Sequence, residues 1–523
     1  MTEKLQSYLA GKWQDGAGSE TELKDPTTGE VLAIASAKGL DLAAALDFAR
    51  SRGGAALQEL GYGQRAELLG KIADVLIKNR AQYEATAIAN SGNTRRDAAI
   101  DIDGGIGTLK YYAKLGAGLG GARSLLDQGP VRLAKDESFQ AIHLLVPRRG
   151  VAVHINAFNF PSWGLWEKAA VSLLAGVPVL AKPASSTALL SAQMVRDVIN
   201  AGVLPAGALS LLCGSAGDLL SRLTADDAVA FTGSHDTARR IRGERAVIDN
   251  NVSVNIEADS INSAVLAPDA APGDASFNAF VREVAREMTV KAGQKCTAIR
   301  RVFAPAQHAA AVIEALSERL KKTVVGDPRQ EATHMGPVVT AGQQAAVIDG
   351  IGQLTKEAQI VFGSGKPPKL DGIDGARSAF VSPTLLQAND AGSAGLVNSV
   401  EVFGPVATVL PYRNEADAVA LVRAGGGSLA VSVFGDDVEF LARMSRDLGS
   451  AHGRVLVVHP SIADSHTGHG IVMPQCNHGG PGRAGNGEEL GGLHGLRFYH
   501  QRVAVQGSTD TLKRLQDGAA PLR

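Results

Sequence analysis

Cysteine is scarce in this sequence. Three of the 523 residues are cysteine, and no pair of them has CxxC spacing. The sequence therefore favours neither a disulfide-rich secreted fold nor a zinc site built on cysteine, and we expect no metal in the protein. A reducing cytoplasm is the simplest compartment for such a chain.

An excess of charge of either sign is also missing. The chain has 52 Lys and Arg against 53 Asp and Glu, a net charge of −1 at pH 7. Proteins that bind nucleic acids or membrane surfaces by electrostatics usually concentrate positive charge. We therefore expect neither a nucleic acid nor a membrane as a partner.

Long apolar runs are absent as well. The best candidate, residues 169–181, is interrupted by glycine and proline, and residues 1–12 lack the apolar core of a signal peptide. We expect neither a membrane span nor a secretory signal. Hydrophobic residues still make up 45% of the chain, enough for large cores, and the length suggests roughly three domain-sized units.

Residues 150–257 alternate between short apolar runs and amphipathic segments. The apolar runs predict strands at residues 151–155, 177–181, 209–212, 228–231 and 252–257. The segments between them predict helices at residues 162–174, 185–200, 217–223 and 236–248. Gly176 is expected to end the first of these helices, and Ser185 or Ser186 to cap the second. Such alternation predicts an α/β fold with right-handed βαβ units on a parallel sheet.

The flanking segments have other patterns. Before residue 150, two long helices are predicted at residues 67–90 and 95–116, and residues 132–145 alternate like one arm of a hairpin. After residue 267 a second α/β unit is predicted to extend to about residue 475. The glycine-rich residues 479–495 then precede a strand-like segment at 499–505.

Cys296 is the most informative single residue. It lies in the run Gly293-Gln294-Lys295-Cys296, between a predicted helix at residues 279–289 and a predicted strand at 301–304. A cysteine on a loop beside small residues is accessible, and thiolates are strong nucleophiles whose reactivity depends on the local pKa. Cys213, in an apolar strand, is expected to lie in the core, whereas Cys476 could line an entrance.

Several polar residues fall at the carboxyl ends of predicted parallel strands, where open α/β sheets bind ligands. They are Asn159, Lys182, Gly233-Ser234 and Glu257. Each alone has an ordinary alternative: a turn residue, a solvated lysine, a helix cap or a surface acid. Gly233-Ser234 opens a helix and could receive a phosphate, although the chain lacks a GxGxxG fingerprint.

A set of motifs in these segments resembles the aldehyde dehydrogenase superfamily. The motifs are Asn159-Phe160-Pro161, Ala175-Gly176-Val177-Pro178-Val179-Leu180-Ala181-Lys182-Pro183, Phe231-Thr232-Gly233-Ser234, Glu257, Gly293-Gln294-Lys295-Cys296 and Glu401-Val402-Phe403-Gly404-Pro405-Val406. They occur in the family order and extend over most of the chain. The resemblance implies two Rossmann-like parallel-sheet domains plus a small β oligomerisation arm.

The resemblance also implies a role for each matching residue. Cys296 would attack the aldehyde, Asn159 and the Cys296 backbone N–H would stabilise the oxyanion, and Glu257 would activate water to hydrolyse the thioester. A nicotinamide dinucleotide would be held by the remaining residues: Lys182 and Ser185 at the adenosine ribose, Gly233 and Ser234 at the pyrophosphate, Glu401 and Phe403 at the nicotinamide riboside.

Three departures from the family pattern carry information. Ser185 stands where NAD-preferring relatives tend to have a glutamate, so we expect NADP as cofactor, with NAD weaker. Ala238 replaces the second glycine of the phosphate turn. Glu257-Ala258-Asp259-Ser260 replaces the usual Glu-Leu-Gly-Gly but retains the glutamate.

A narrower resemblance concerns the substrate. The runs at residues 154–161 and 478–485 are similar to a branch of the superfamily that acts on aldehydes linked to coenzyme A in aerobic aromatic degradation, including benzoate degradation. The implied activity is NADP-dependent oxidation of a CoA-linked semialdehyde to the acid. Arg483 could then meet a coenzyme A phosphate. The alternatives are a general or CoA-acylating dehydrogenase, or a catalytically silent structural protein.

The resemblance divides the chain into parts. Residues 1–128 and 148–256 would form a discontinuous NAD(P)-binding domain and residues 257–475 a catalytic domain. Residues 129–147 and 496–523 would form an oligomerisation arm, and residues 476–495 a glycine-rich loop. We expect a homo-oligomer, with a two-fold dimer favoured.

Overall fold

A seven-stranded sheet with a parallel centre carries the first group of predicted site residues. The computed structural model describes residues 3–18 and 20–522 of the chain. From edge to edge the strands of this sheet are Ser253–Glu257, Ala228–Thr232, Ala152–Ile155, Val179–Lys182, Leu209–Leu211, Ser7–Leu9 and Lys12–Gln14. The first five are mutually parallel. Ser7–Leu9 pairs antiparallel with both of its neighbours, Leu209–Leu211 and Lys12–Gln14.

A second seven-stranded sheet supports the rest of the site. Its strands, in spatial order, are Ala358–Phe362, Thr384–Ala388, Val406–Tyr412, Ile299–Pro305, Asn262–Leu266, Ser428–Phe434 and His452–Val458. All pair in parallel except the edge strand Ala358–Phe362. The accompanying helices are Ala275–Thr289, Ala309–Leu320, Ala341–Leu354, Glu415–Arg423 and Val438–Gly449. The two sheets confirm the predicted α/β class.

Helices connect the strands of the first sheet. They are Trp163–Ala175, Ala188–Asn200, His235–Gly243 and Arg245–Asp249. Gly176 ends the first at φ 91°, as expected. The predicted serine cap of the second is wrong: a 3₁₀ turn, Ser185–Thr187, precedes the helix, and the Ser185 and Thr187 hydroxyls donate to carbonyl groups of neighbouring loops instead. The predicted helix at 236–248 is broken because Glu244 is extended.

Two long helices precede this region, at Tyr62–Ser91 and Arg95–Ala117. The turn between them follows from local chemistry. Gly92 has φ 68°, which suits glycine, and the Thr94 hydroxyl accepts a hydrogen bond from the Asp97 backbone N–H at 3.2 Å. Asp97 in turn accepts from the Thr94 N–H, which completes a capping box. The shorter helices Leu42–Phe48 and Ala55–Glu59 lie earlier in the chain.

Three smaller sheets complete the described structure. A four-stranded sheet joins His500–Ser508, Phe139–Pro147, Ser124–Arg132 and Ala519–Pro521, and the helix Thr509–Asp517 follows the first of these. The predicted arm at residues 132–145 therefore contains the turn of a hairpin. A three-stranded sheet of Glu3–Leu5, Val31–Ala35 and Thr21–Lys24 has no counterpart in the sequence predictions.

The glycine-rich segment is not a simple loop. Its strands Asn477–Gly480 and Gly487–Leu490 form an antiparallel hairpin, which packs against Ser253–Glu257. The Asn255 side chain accepts a hydrogen bond from the Glu488 N–H at 2.8 Å. A Cβ on Gly487 would lie 2.2 Å from the Ile256 carbonyl oxygen. Glycine is thus needed here for close backbone approach, which explains a composition that we interpreted as a loop.

Of the helices described, none combines the length and the apolar character needed to cross a membrane.

Candidate active site

The carboxyl edge of the first sheet brings the predicted polar residues together. Thr232 and Glu257 are direct partners at the ends of adjacent strands, and Ile155 pairs with Lys182. Asn159 follows in the loop after the strand Ala152–Ile155. These residues therefore lie at one edge of the sheet, as the sequence predicted.

Cys296 approaches this edge from the second sheet. Its loop is shaped by three consecutive residues with positive φ, namely Lys291 at 54°, Ala292 at 51° and Gly293 at 69°. A Cβ on Gly293 would lie 2.2 Å from the Gly404 carbonyl oxygen, so glycine is required. The Asn262 side-chain amide donates to the Cys296 carbonyl at 2.8 Å and fixes the loop on the sheet.

Two cavities meet at Cys296. A larger one of about 550 Å³ is lined by the predicted cofactor residues Lys182, Gly233, Ser234, Glu401 and Phe403. A smaller one of about 40 Å³ is lined by residues including Phe160, Trp163, Glu167, Lys168, Val472 and His478. Both cavities share Asn159, Thr232, Glu257 and Cys296. The Cys296 side chain can therefore contact a different molecule in each cavity.

Glu257 is held between Cys296 and a histidine. His478 Nε2 lies 3.0 Å from Glu257 Oε2, and both side chains are buried. Burial alone would raise the pKa of Glu257, but the His478 cation with its hydrogen bond, and then Lys168, lower it to about 2. Burial would lower the pKa of His478, but the Glu257 carboxylate outweighs this effect and raises it. Both shifts favour the ion pair of a Glu257 carboxylate and a His478 imidazolium.

Cys296 rests as a thiol in this environment. Its side chain is partly exposed at the cavity wall. Desolvation by the surrounding protein, and then the Glu257 carboxylate, raise the pKa of the thiol well above its ordinary value. Formation of the reactive thiolate consequently requires a base within reach, and Glu257 is in contact with it.

A buried ionic group lies behind Glu257. Lys168 Nζ is 3.2 Å from Glu167 Oε1 and 3.1 Å from Glu489 Oε2. Burial raises the pKa of Glu489 to about 7, Lys168 opposes the rise, and the carboxylates of Glu167 and Glu257 add to it. Protonatable groups thus adjoin the candidate base.

The larger cavity has features that fit a dinucleotide. Ser234 caps the helix His235–Gly243, whose amino terminus faces the cavity. Lys182 contributes an ammonium group that donates to the Pro183 carbonyl at 3.2 Å and has further donor capacity. Asp259 makes this helix terminus a less favourable site for an anion, because its carboxylate already accepts a hydrogen bond from the His235 N–H at 2.9 Å. Arg483 lies 4.0 Å from the same carboxylate and partly offsets it.

Glu401 and Phe403 lie at the other side of this cavity. Glu401 Oε1 is buried and has no hydrogen-bond partner among the described residues. Burial raises the pKa of Glu401 to about 8, although Arg300 opposes the shift. An unpaired buried carboxyl oxygen is costly, and a ribose hydroxyl is a suitable donor for it.

The remaining sequence predictions have different outcomes. Ser185 lies directly after Ala184, which lines the larger cavity, and its hydroxyl donates to the Gly214 carbonyl at 3.4 Å. Arg483 lines the larger cavity, and its contact with a coenzyme A phosphate stays a prediction. Cys213 is buried in an apolar core, as predicted, whereas Cys476 is exposed.

Sequence analysis missed four charged residues of the site: Glu167, Lys168, His478 and Glu489. One signal was present, since Glu167 and Lys168 interrupt the otherwise apolar helix Trp163–Ala175, where a buried charge needs a partner. His478 belongs to a motif that we used only for the resemblance. Nothing in the local sequence indicates that it contacts Glu257, more than 200 residues away.

Comparison with known proteins agrees with this arrangement. The aldehyde dehydrogenase family matches residues 13–505. The chain is 52% identical over 478 residues to 3,4-dehydroadipyl-CoA semialdehyde dehydrogenase of Aromatoleum evansii, covering 91% of this chain and 93% of that protein. It is 28% identical over 494 residues to aminoaldehyde dehydrogenase 2 of Zea mays, covering 92% of each.

Solved structures have the same fold. Betaine aldehyde dehydrogenase of Staphylococcus aureus in complex with NAD+ has a TM-score of 0.84 at 24% identity, covering 97% of this chain and 95% of that one. A 3,6-anhydro-L-galactose dehydrogenase complex has a TM-score of 0.83 at 23% identity, covering 97% of this chain and 100% of that one. With the family match and the A. evansii relative, the chain belongs to the aldehyde dehydrogenase family of oxidoreductases.

Proposed function

We propose that this protein oxidises a CoA-linked semialdehyde, 3,4-dehydroadipyl-CoA semialdehyde, to the free carboxylic acid with NADP, in aerobic benzoate degradation. The observation that carries the proposal is the 52% identity to the A. evansii enzyme of that name over 91% of the chain. The combination of Cys296, Glu257 and Asn159 around one cavity supports it independently.

Acylation begins with proton transfer from Cys296. Glu257 accepts the thiol proton, and Cys296 Sγ attacks the aldehyde carbon to form a thiohemiacetal. The Asn159 side-chain amide and the Cys296 backbone N–H stabilise the negative oxygen, an effect that is among the largest in such reactions. Bound NADP supplies the acceptor for the hydride that converts this adduct into a thioester.

Deacylation uses the same carboxylate. After the thiol proton has passed from Glu257 to solvent, Glu257 takes a proton from a water molecule, the water oxygen attacks the thioester carbon, and Cys296 leaves as the thiolate. His478 holds Glu257 by a 3.0 Å contact, so the carboxylate becomes fully basic once the imidazolium has lost its proton. Lys168 and Glu489 lie beside this pair and provide further protonatable groups.

The residues of the larger cavity fit the cofactor. Lys182 would bind the adenosine ribose with Ser185 nearby, and Gly233 and Ser234 would meet the pyrophosphate. The unpartnered Oε1 of Glu401 would accept from the nicotinamide ribose, with Phe403 beside the ring. Ser185 carries no charge to repel a 2′-phosphate, and Lys182 would attract one, so NADP is favoured over NAD.

Assembly and location complete the proposal. The four-stranded sheet exposes apolar side chains, namely Val131 at 47%, Phe139 at 41%, Val146 at 41% and Val503 at 39%. Burial of these side chains against a second copy would be favourable, and a two-fold dimer is the simplest arrangement. The cytoplasm, where coenzyme A thioesters are made and used, is the proposed compartment.

The test measures NADPH and NADH formation by purified protein with a six-carbon semialdehyde, both free and as its CoA thioester. We expect activity with the thioester, a preference for NADP, and loss of activity in Cys296→Ala but not in the matched control Cys476→Ser. Mass spectrometry should find the free acid. Equal turnover of free aldehydes would remove the CoA-linked substrate, and a new thioester formed only with added coenzyme A would favour the acylating alternative.

A further inference from the structure

Three different metal-binding side chains converge in the candidate site. The ligand atoms of Glu257, Cys296 and His478 all lie within 4.8 Å of one another. They come from three separate segments: the end of the strand Ser253–Glu257, the loop before Ile299–Pro305, and the hairpin strand Asn477–Gly480. A carboxylate, a thiolate and an imidazole with an open fourth position are a ligand set that suits Zn²⁺.

The charge around these residues favours a cation. Glu167, Glu257 and Glu489 form a second group whose carboxyl oxygens also lie within 4.8 Å of one another. Lys168 is the ammonium that contacts Glu167 and Glu489. Glu401 adds another carboxyl group near Cys296, and Arg454 adds a second cation. Carboxyl groups therefore outnumber the lysine and arginine cations in this buried region, which favours a dication.

The site also offers a free ligand atom and space. Glu257 Oε1 is buried without a hydrogen-bond partner among the described residues, whereas Oε2 contacts His478. Glu257, Cys296 and His478 line one cavity of about 40 Å³, room for an ion with a water molecule.

We propose that Glu257, Cys296 and His478 form a reversible inhibitory site for a thiophilic divalent cation, with Zn²⁺ as the fitting ion and water as fourth ligand. Binding replaces two protons, one from the Cys296 thiol and one from the His478 imidazolium, by two metal–ligand bonds. The ion is bonded to Cys296 Sγ, the proposed nucleophile, and therefore competes with the aldehyde for this atom. It inhibits the proposed reaction and takes no part in it.

The proton balance predicts a pH dependence. Affinity should rise with pH because the thiol and the imidazolium must both lose protons. The charged groups that face the site are Glu167, Glu257, Glu401, Glu489, Lys168 and Arg454.

Cobalt(II) serves as the probe, because a cysteine ligand gives it a thiolate charge-transfer absorption and a tetrahedral site gives intense visible bands. Metal-free protein, dialysed against EDTA, is titrated with Co²⁺ and then with Zn²⁺. We expect one Co²⁺ per chain with both absorptions, displaced by Zn²⁺, and about two protons released per ion near neutral pH. Zn²⁺ should inhibit turnover competitively with aldehyde and reversibly with EDTA.

Variants assign the ligands. Cys296→Ser should abolish the charge-transfer band, and His478→Phe or His478→Gln should weaken Co²⁺ binding at least about tenfold. Cys476→Ser is the matched control, because it removes an exposed thiol and should change neither measurement. Cofactor binding, followed by protein fluorescence, reports whether each variant is folded.

Either of two results overturns the inference: wild-type protein without a charge-transfer band, or a band that disappears in Cys476→Ser and persists in Cys296→Ser. The outcome is separable from the proposed function. An active dehydrogenase that binds no Co²⁺ contradicts the metal site alone, and an inactive protein with the full Co²⁺ spectrum contradicts the proposed function alone.

Discussion

Replacement of His478 by phenylalanine should change the pH dependence of catalysis more than its maximal rate. At 3.0 Å and an effective dielectric constant of about 20, Coulomb's law gives the pair an attraction of about 5.5 kcal/mol as an upper value. An opposite charge at this range typically shifts a carboxyl pKa by about 1–3 units. Without the imidazolium, the pKa of Glu257 should rise from about 2 by about that amount.

The expected shift of the pH profile depends on which group must lose a proton before Glu257 can act as a base. In the wild type, full basicity of Glu257 requires deprotonation of His478, whose pKa the carboxylate raises. The acidic limb of kcat should therefore follow His478. In His478→Phe the limb follows Glu257 alone and should move to lower pH by at least about one unit, since the carboxyl pKa remains lower than that of the imidazolium.

The assay is kcat against pH for hydrolysis of the thioester, measured after rapid acylation so that deacylation is isolated. His478→Gln is the matched control, because an amide can hydrogen-bond to Glu257 but carries no charge. If the charge of His478 sets the position of the acidic limb, His478→Gln should have the same limb as His478→Phe. If positioning of Glu257 sets it, His478→Gln should have the limb of the wild type. A limb unchanged in both variants would refute the reasoning.

Four further predictions concern the oxyanion, the cofactor and the loop of the nucleophile. Asn159→Ala should reduce kcat about 10²- to 10³-fold in steady-state assays, with cofactor binding retained. Ser185→Glu should lower the ratio of kcat/KM for NADP over NAD at least about tenfold, because the new carboxylate repels a 2′-phosphate. Asp259→Asn should lower the cofactor KM about two- to fivefold, since it removes a negative charge from a helix amino terminus. Gly293→Ala should lower Tm by an amount that corresponds to a loss of more than about 2 kcal/mol in the free energy of unfolding. The reasons are the φ of 69° at this position and the Gly404 carbonyl oxygen, which would lie 2.2 Å from the new Cβ. Gly243→Ala, with open space around it, is the control.

The fold could be predicted where strands and helices are long or alternate regularly. The strand Ser253–Glu257 and the helix Arg95–Ala117 lie within one or two residues of their predicted bounds. The amino-terminal strands were missed because they have only three to five residues and some of them depend on distant partners. Ser7–Leu9, for example, pairs with Leu209–Leu211, and no local pattern contains that information.

The residues of the candidate site also fall into those that the sequence could identify and those that it could not. Cys296, Glu257 and Lys182 could be found because each lies at the end of a predictable element and within a recognisable motif. The contact of His478 with Glu257 could not, since a glycine-rich hairpin places it there through close backbone packing. Asp259 illustrates a further limit: the sequence marked it as unusual, but its bond to the His235 N–H depends on how a strand end meets a helix.

The relation between Cys296 and Glu257 imposes an order on the proton transfers. In the proposed mechanism, the carboxylate that accepts the thiol proton also raises the pKa of that thiol, so a thiolate beside an ionised Glu257 is unfavourable. Once the proton has moved, Glu257 is neutral and its repulsion disappears, which ties deprotonation to nucleophilic attack. Before water can be activated, that proton must leave Glu257. His478, 3.0 Å away, can receive it only after its resting imidazolium has lost its own proton, and for this reason the two residues should titrate as one unit throughout the cycle.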